Sequence, residues 1–300
     1  MDDPTPISPD QFTETDPDRW QAAEQLDVVQ VTGEDAARFL QGQLTCDVNL
    51  LASESALPFA WCSPAGRVRH AGWLTGQGQT FYLLLATGAA GNCVEALRPY
   101  VLRTKVRLTA GSETGLGLSW RWQTTTAGRE SDQSRSSACT LPGQPARLVR
   151  IAGQAAPAGA THDYVLAGIR AGVCELPLEL TERFLPQMLN LDLIGGVSFT
   201  KGCFPGQEVI ARLHNLGRVK RRLLRFSTQS GHWPPGTDLL ANEKTVGSLV
   251  ACATSDGGSE LLAVVSLAAM TDSALELAVP GRPPLTPEPL PYSIPEMQPG

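Results

Sequence analysis

Three hundred residues, 42% of them hydrophobic and with near-neutral mean hydropathy, suffice for one large domain or two to three small ones around a sizeable core. A net charge of −6 speaks against a general nucleic-acid binder, and the longest apolar run, Leu261–Met270, is far short of the ~20 residues that span a bilayer. Seven cysteines, odd in number and never in a C-x-x-C arrangement, and four histidines without an H-x-x-x-H pair exclude a disulfide framework and a metal site of the usual spacing.

Residues 1–24 are acidic and Pro-rich at the start and read as a flexible leader. They have neither the basic start and apolar stretch of a secretory signal nor the arginines of a transit peptide, so a reducing cytoplasm is the expected setting. Leu26, Val28 and Val31 then mark a strand. Thr32 with Asp35 imitates a capping box for a helix that Gly42 closes. Leu57, Phe59 and Trp61 on one side of Ser63-Pro64-Ala65-Gly66, with Val68 and His70 on the other, predict a hairpin. Phe81–Ala86 reads as a buried strand and Cys93–Leu102 as a short helix. Residues 121–147 form a polar excursion, after which Leu148–Ile151 and Tyr164–Leu166 resume strand character. The mixture is α+β, with residues 25–217 forming the larger region.

Within that region, Lys201-Gly202-Cys203-Phe204-Pro205-Gly206-Gln207-Glu208 is the segment richest in chemistry. Pro205 suits a first helical position, Val209, Ile210 and Leu213 supply an apolar stripe, and Gly217 is a plausible stop. Cys203 is then expected about two residues before the helix, where unpaired N–H groups and Lys201 favour a thiolate. Inert packing is the competing reading. From Lys201 to Arg225 seven basic residues face the single acid Glu208, a local +6 that leaves −12 on the rest. That asymmetry suggests a local anion site, although Lys220-Arg221-Arg222 alone reads as a solvated strand edge. Beyond Gly217, short strands over Val219–Phe226, Gly247–Ala253 and Glu260–Leu267 predict a small antiparallel β-barrel (218–279). Residues 280–300, with eight prolines, read as an extended tail.

The stretch Gly195–Glu208 closely resembles the signature of the YgfZ family, folate-binding proteins related to the T protein (aminomethyltransferase) of the glycine cleavage system. Val31-Thr32-Gly33-Glu34-Asp35, Phe39-Leu40-Gln41-Gly42-Gln43 with Asp47, Arg170-Ala171-Gly172, Phe184-Leu185-Pro186-Gln187 and Glu288–Ser293 resemble other blocks of that family. The resemblance implies ferredoxin-like folate subdomains and a C-terminal barrel around a central channel. It places the T protein's acidic catalytic pair at His70-Ala71, so ordinary aminomethyltransferase activity is not expected. His70 remains a possible general base, a structural histidine being the commoner outcome. Where relatives carry a glutamate for the pterin, this chain has Arg170, which accepts no hydrogen bond. Tyr164 falls where an aromatic could stack on a pterin or fill the core, and Arg212 suits a folate carboxylate. Gln43 and Asp47 are candidates for lining the cavity or, alternatively, turn and cap residues.

The function this implies is that of a monomeric, folate-binding accessory protein for assembly or repair of iron–sulfur clusters in client enzymes, including those of tRNA methylthiolation. Tetrahydrofolate or a derivative is the expected ligand, and no metal is bound by the chain itself. Cys203 and Lys201 form the working centre at the folate cavity, where Gly202 and Gly206 permit close approach and Gln207 and Glu208 shape the site. A folate-dependent one-carbon transferase or demethylase is the second reading. Direct tRNA binding through the basic stripe ranks last because stacking aromatics are sparse there.

Overall fold

The computed structural model describes residues 19–52, 55–123, 138–141, 146–153, 155–159, 161–255, 257–270 and 274–295. Most of the expected leader (1–18) and excursion (124–137 and 142–145), and the last residues of the tail (296–300), lie outside them.

The first strands are β1 (Gln21–Ala22) and β2 (Leu26–Thr32), followed by helix α1 (Ala36–Gln43). A hairpin of β3 (Leu57–Cys62) and β4 (Val68–Gln77) leads into β5 (Thr80–Ala86), α2 (Ala89–Leu97) and β6 (Arg107–Ala110). These strands make an antiparallel sheet in the order β3-β4-β5-β2-β6. Strand alternation decides which core each side chain joins. Val29, Val31, Leu83 and Leu85 pack under α1 and α2, while Val28, Trp73 and Leu84 face the centre of the molecule.

After the single turn α3 (Gly111–Thr114), the strands β7 (Gly117–Trp122), β8 (Ala138–Leu141) and β9 (Arg147–Ala152) pair with β1 in the order β1-β7-β9-β8. Helix α4 (Thr161–Ala171) joins their core, with Tyr164, Ala167 and Ala171 buried at helical spacing. A loop region without long elements then reaches α5 (Gln207–Leu216).

The C-terminal strands β10 (Arg221–Thr228), β11 (Asp238–Ala241), β12 (Lys244–Ser255), β13 (Gly258–Ser266), β14 (Leu275–Leu277) and β15 (Pro284–Glu288) close into a barrel, as expected of the fold class. Leu224, Phe226, Leu239 and Leu261 fill it, while Leu223, Val250 and Leu262 belong to the central core, where α4 packs on β12 and β13.

Several local expectations are corrected. Thr32 does not cap a helix: β5 and β6 claim it as a strand residue, opposite Thr80 and Arg107, and α1 starts after Asp35. Gly42 lies inside α1, which runs on to Gln43. The helix expected at Cys93–Leu102 starts earlier, at Ala89 behind the left-handed Gly88. Tyr164–Leu166 is helical, because a three-residue apolar run fits either period. The leader's end is ordered as β1 against β7, and the excursion region contributes β8. The Pro-rich tail supplies β15, whose pairing with β10 closes the barrel; this short strand tolerates Pro284 and Pro287. Pro205 is not the first residue of α5: Gly206, left-handed at φ 80°, is its N-cap, which puts Cys203 further from the helix than expected.

Candidate functional site: an exposed cysteine on a fastened loop

The loop ahead of α5 is tied to the exit of α1. Ser198 N–H donates to Thr45 O at 2.9 Å, and Thr45 Oγ1 donates to Gly196 O at 2.6 Å while accepting from Ala60 N–H. Lys201 Nζ donates to Leu44 O at 2.8 Å and Cys46 O at 2.7 Å, and lies 5.5 Å from the Phe204 ring centre. Burial pulls this ammonium below the usual lysine pKa. Its charge reaches the Cys46 thiol, which burial nonetheless pushes up to about 12. Through these two bonds Lys201 anchors the loop.

The other end of the loop rests on the β3–β4 turn. A Cβ on Gly206 would stand 2.6 Å from both Ser63 O and Gly66 Cα, so two glycine backbones touch there. Phe204 and Ile210 are buried beneath, and Gln187 Nε2 donates to Ile210 O at 2.8 Å. Between these anchors Gly202 and Cys203 face solvent. Of the seven cysteines Cys203 alone is exposed; Cys174 is half-buried and the others are buried. Gln207 and Glu208 form the first turn of α5, with Glu208 exposed near its N-terminus.

The remaining candidates disperse. Gln43 Oε1 accepts from Trp61 Nε1 at 3.3 Å, and Asp47 caps the turn at Val48–Leu50 and accepts from Gln41. His70 is buried, stacks on Trp61 at 6.0 Å and pairs through Nε2 with Asn92 Oδ1 at 3.1 Å. Burial holds its pKa down to about 4, which makes it a poor proton acceptor near neutrality. Arg212 is exposed on α5. Arg170 reaches across to the barrel, where its Nε and Nη2 grip Glu260 Oε1 at 2.9 and 2.7 Å. Arg225 holds the other oxygen at 3.2 and 2.7 Å. Burial works to raise the Glu260 pKa, but the bonds and charges of both arginines hold it below the usual value. The basic run is likewise divided, since Arg222 is buried on Asp192 at 2.7 Å. Asp192 is its ion-pair partner.

A cavity of about 430 Å³ lies between α4, the segment after it and the barrel. Tyr164 is in its wall, but Cys203, Gln43, Asp47, Arg170 and Arg212 are not. The Tyr164 ring sits edge-on to Trp120 and under the Arg147 guanidinium, 4.3 Å from its centre. Its hydroxyl and Trp73 Nε1 both donate to Glu175 Oε1, at 2.9 and 2.7 Å. Thr45, Arg147 and Glu175 were absent from the sequence candidates. Arg147 carried one usable signal, since it alternates with Val149 and Ile151 and so falls on the inward face of β9.

No family model matches the chain. The tRNA-modifying protein YgfZ of Colwellia psychrerythraea is 29% identical over 259 residues, spanning 77% of this chain and 80% of that protein. An uncharacterised protein of Haemophilus influenzae is 30% identical over 78% of this chain and 84% of its own length. The YgfZ of Yersinia enterocolitica is 26% identical over 90% and 91%. Among solved structures, glycine cleavage system aminomethyltransferase T of Bartonella henselae superposes with a TM-score of 0.67 at 16% identity, covering 91% of this chain and 85% of that one. With its cysteine loop and six-stranded barrel set in that aminomethyltransferase architecture, the chain belongs to the YgfZ family.

Proposed function

We propose that this chain is a folate-binding accessory protein that supports assembly or repair of iron–sulfur clusters in client enzymes, with Cys203 as its working thiol. The observation that carries the reading is the contrast among the cysteines: six are wholly or partly sheltered, and one is displayed on a loop fixed at Lys201 and at Gly206. A thiol held in the open on a rigid support suits brief contact with a cluster or its iron carried by a partner. The tRNA connection rests on the names of the Colwellia and Yersinia relatives, and makes tRNA-modifying enzymes the first clients to test.

Folate enters through kinship of fold alone. At the position expected to meet the pterin, the Arg170 side chain is committed to Glu260 and offers no acceptor, so that position does not fit the role. Folate binding requires an acceptor from another residue, and no chemical step is assigned to folate. The deciding experiment is complementation of cells lacking their own YgfZ protein, read as methylthiolated tRNA. Wild type is expected to restore the modification and Cys203→Ala, folded and equally abundant, is not. Full restoration by Cys203→Ala would overturn the assignment.

A further inference from the structure

The 430 Å³ cavity has a cation in its wall that the protein leaves half-used. Arg147 is 1% exposed and, having no accessible neutral form, keeps its charge there. Its Nη1 donates to Tyr164 O at 3.2 Å, but Nε and Nη2 have no hydrogen-bond partner. Glu175, an acid in the same wall, spends Oε1 on Trp73 and Tyr164. Gln25, also in the wall, has both amide atoms buried and unpartnered.

Nε and Nη2 form one edge of the guanidinium, and two parallel N–H groups on that edge match a carboxylate. This protein uses the same edge twice elsewhere, on Arg170 and on Arg225, each time against Glu260. Gly168 lets α4 lie close to the Val173 carbonyl, which a Cβ there would approach to 3.0 Å. Much of the remaining wall is apolar, with Val173, Val250 and Trp233 in it.

We propose that the cavity binds a small organic carboxylate, whose oxygens take the Nε–H and Nη2–H of Arg147 while an apolar body lies against Val173, Val250 and Trp233. The Gln25 amide supplies a second polar contact. The inference is independent of the role of Cys203.

The test titrates benzoate and hexanoate into the full-length protein by calorimetry, with benzamide and hexanamide as uncharged controls. In parallel, the arginine Nε–H signals are followed by NMR. The acids are expected to saturate and to shift one Nε–H signal, assigned to Arg147 by its loss in Arg147→Lys, while the amides do neither. Arg147→Lys keeps the charge but loses the fork and is expected to weaken binding at least roughly tenfold. Ala251→Phe, which narrows the cavity from β12 without touching the guanidinium, is expected to weaken it too, and decides the matter if Arg147→Lys does not fold. No saturation by either acid up to about 10 mM, equal binding of the amides, or unchanged affinity in either folded variant overturns the proposal. A tetrahydrofolate arm separates two sources of the carboxylate. Competition with benzoate assigns it to the glutamyl end of folate, and simultaneous binding assigns it to a separate acid; both retain the site.

Discussion

The Lys201 ammonium meets the Cys46 carbonyl at 2.7 Å across 155 residues of sequence, and with its bond to Leu44 O it clamps the cysteine loop to the end of α1. Removing it takes the charged donor from the carbonyls of two buried residues, Leu44 and Cys46. Lys201→Met is therefore expected to cost about 1–3 kcal/mol in urea unfolding. It should also loosen the loop, seen as faster hydrogen exchange from Ser198 to Phe204, while a distant surface change such as Lys105→Met leaves that exchange unaltered.

Burial sorts the thiols. Desolvation pushes Cys46, Cys93 and Cys139 up to about 12 and Cys62 and Cys174 higher still, whereas Cys203 is exposed. A thiol reagent at neutral pH should label one cysteine per native chain quickly and all seven only after unfolding. Cys203→Ser should remove the fast phase. Rapid labelling of two or more native cysteines contradicts the burial pattern.

His70 gives the fold a pH limb of predictable sign. Burial lowers its pKa from 6.5 in the unfolded chain to about 4 in the native one, so between those values the unfolded chain binds the extra proton. Its contribution is complete above pH 6.5 and is lost as pH falls toward 4, by about 3 kcal/mol. His70→Phe preserves the stack on Trp61, gives up the Asn92 bond and should flatten this limb in urea unfolding series. An unchanged slope would show that other groups carry it.

What sequence made visible was local. The β3–β4 hairpin was readable because apolar alternation flanks a Pro/Gly turn, and barrel strands because their short apolar runs end in Gly, Asp and Ser. The loop around Cys203 stood out as a motif, but the purpose of Lys201 did not, since its partners lie on the far side of the chain's fold. Arg170 is a similar case: its placement depends on Glu260, which is 90 residues away. Tyr164 was misplaced on a strand because three apolar residues carry no period, and the Trp73–Glu175 bond joins residues with no local relation. Arg147 was passed over because a charged residue is ordinarily outside, although its alternation with Val149 pointed inward.

Glu260 is the joint between α4 and the barrel, since Arg170 comes from one and Arg225 from the other. Each arginine lends two N–H groups to it, and all three side chains are largely shielded. Removing the carboxylate charge strands two guanidiniums in a poorly solvated place, where repulsion between them is no longer offset. Glu260→Gln is thus expected to lose about 3–5 kcal/mol, while Arg170→Gln, which leaves Arg225 and Glu260 paired, should lose less. Denaturant melts of the two variants check the ordering. Equal losses would mean that Arg225 cannot hold the acid alone and that the joint needs both arms.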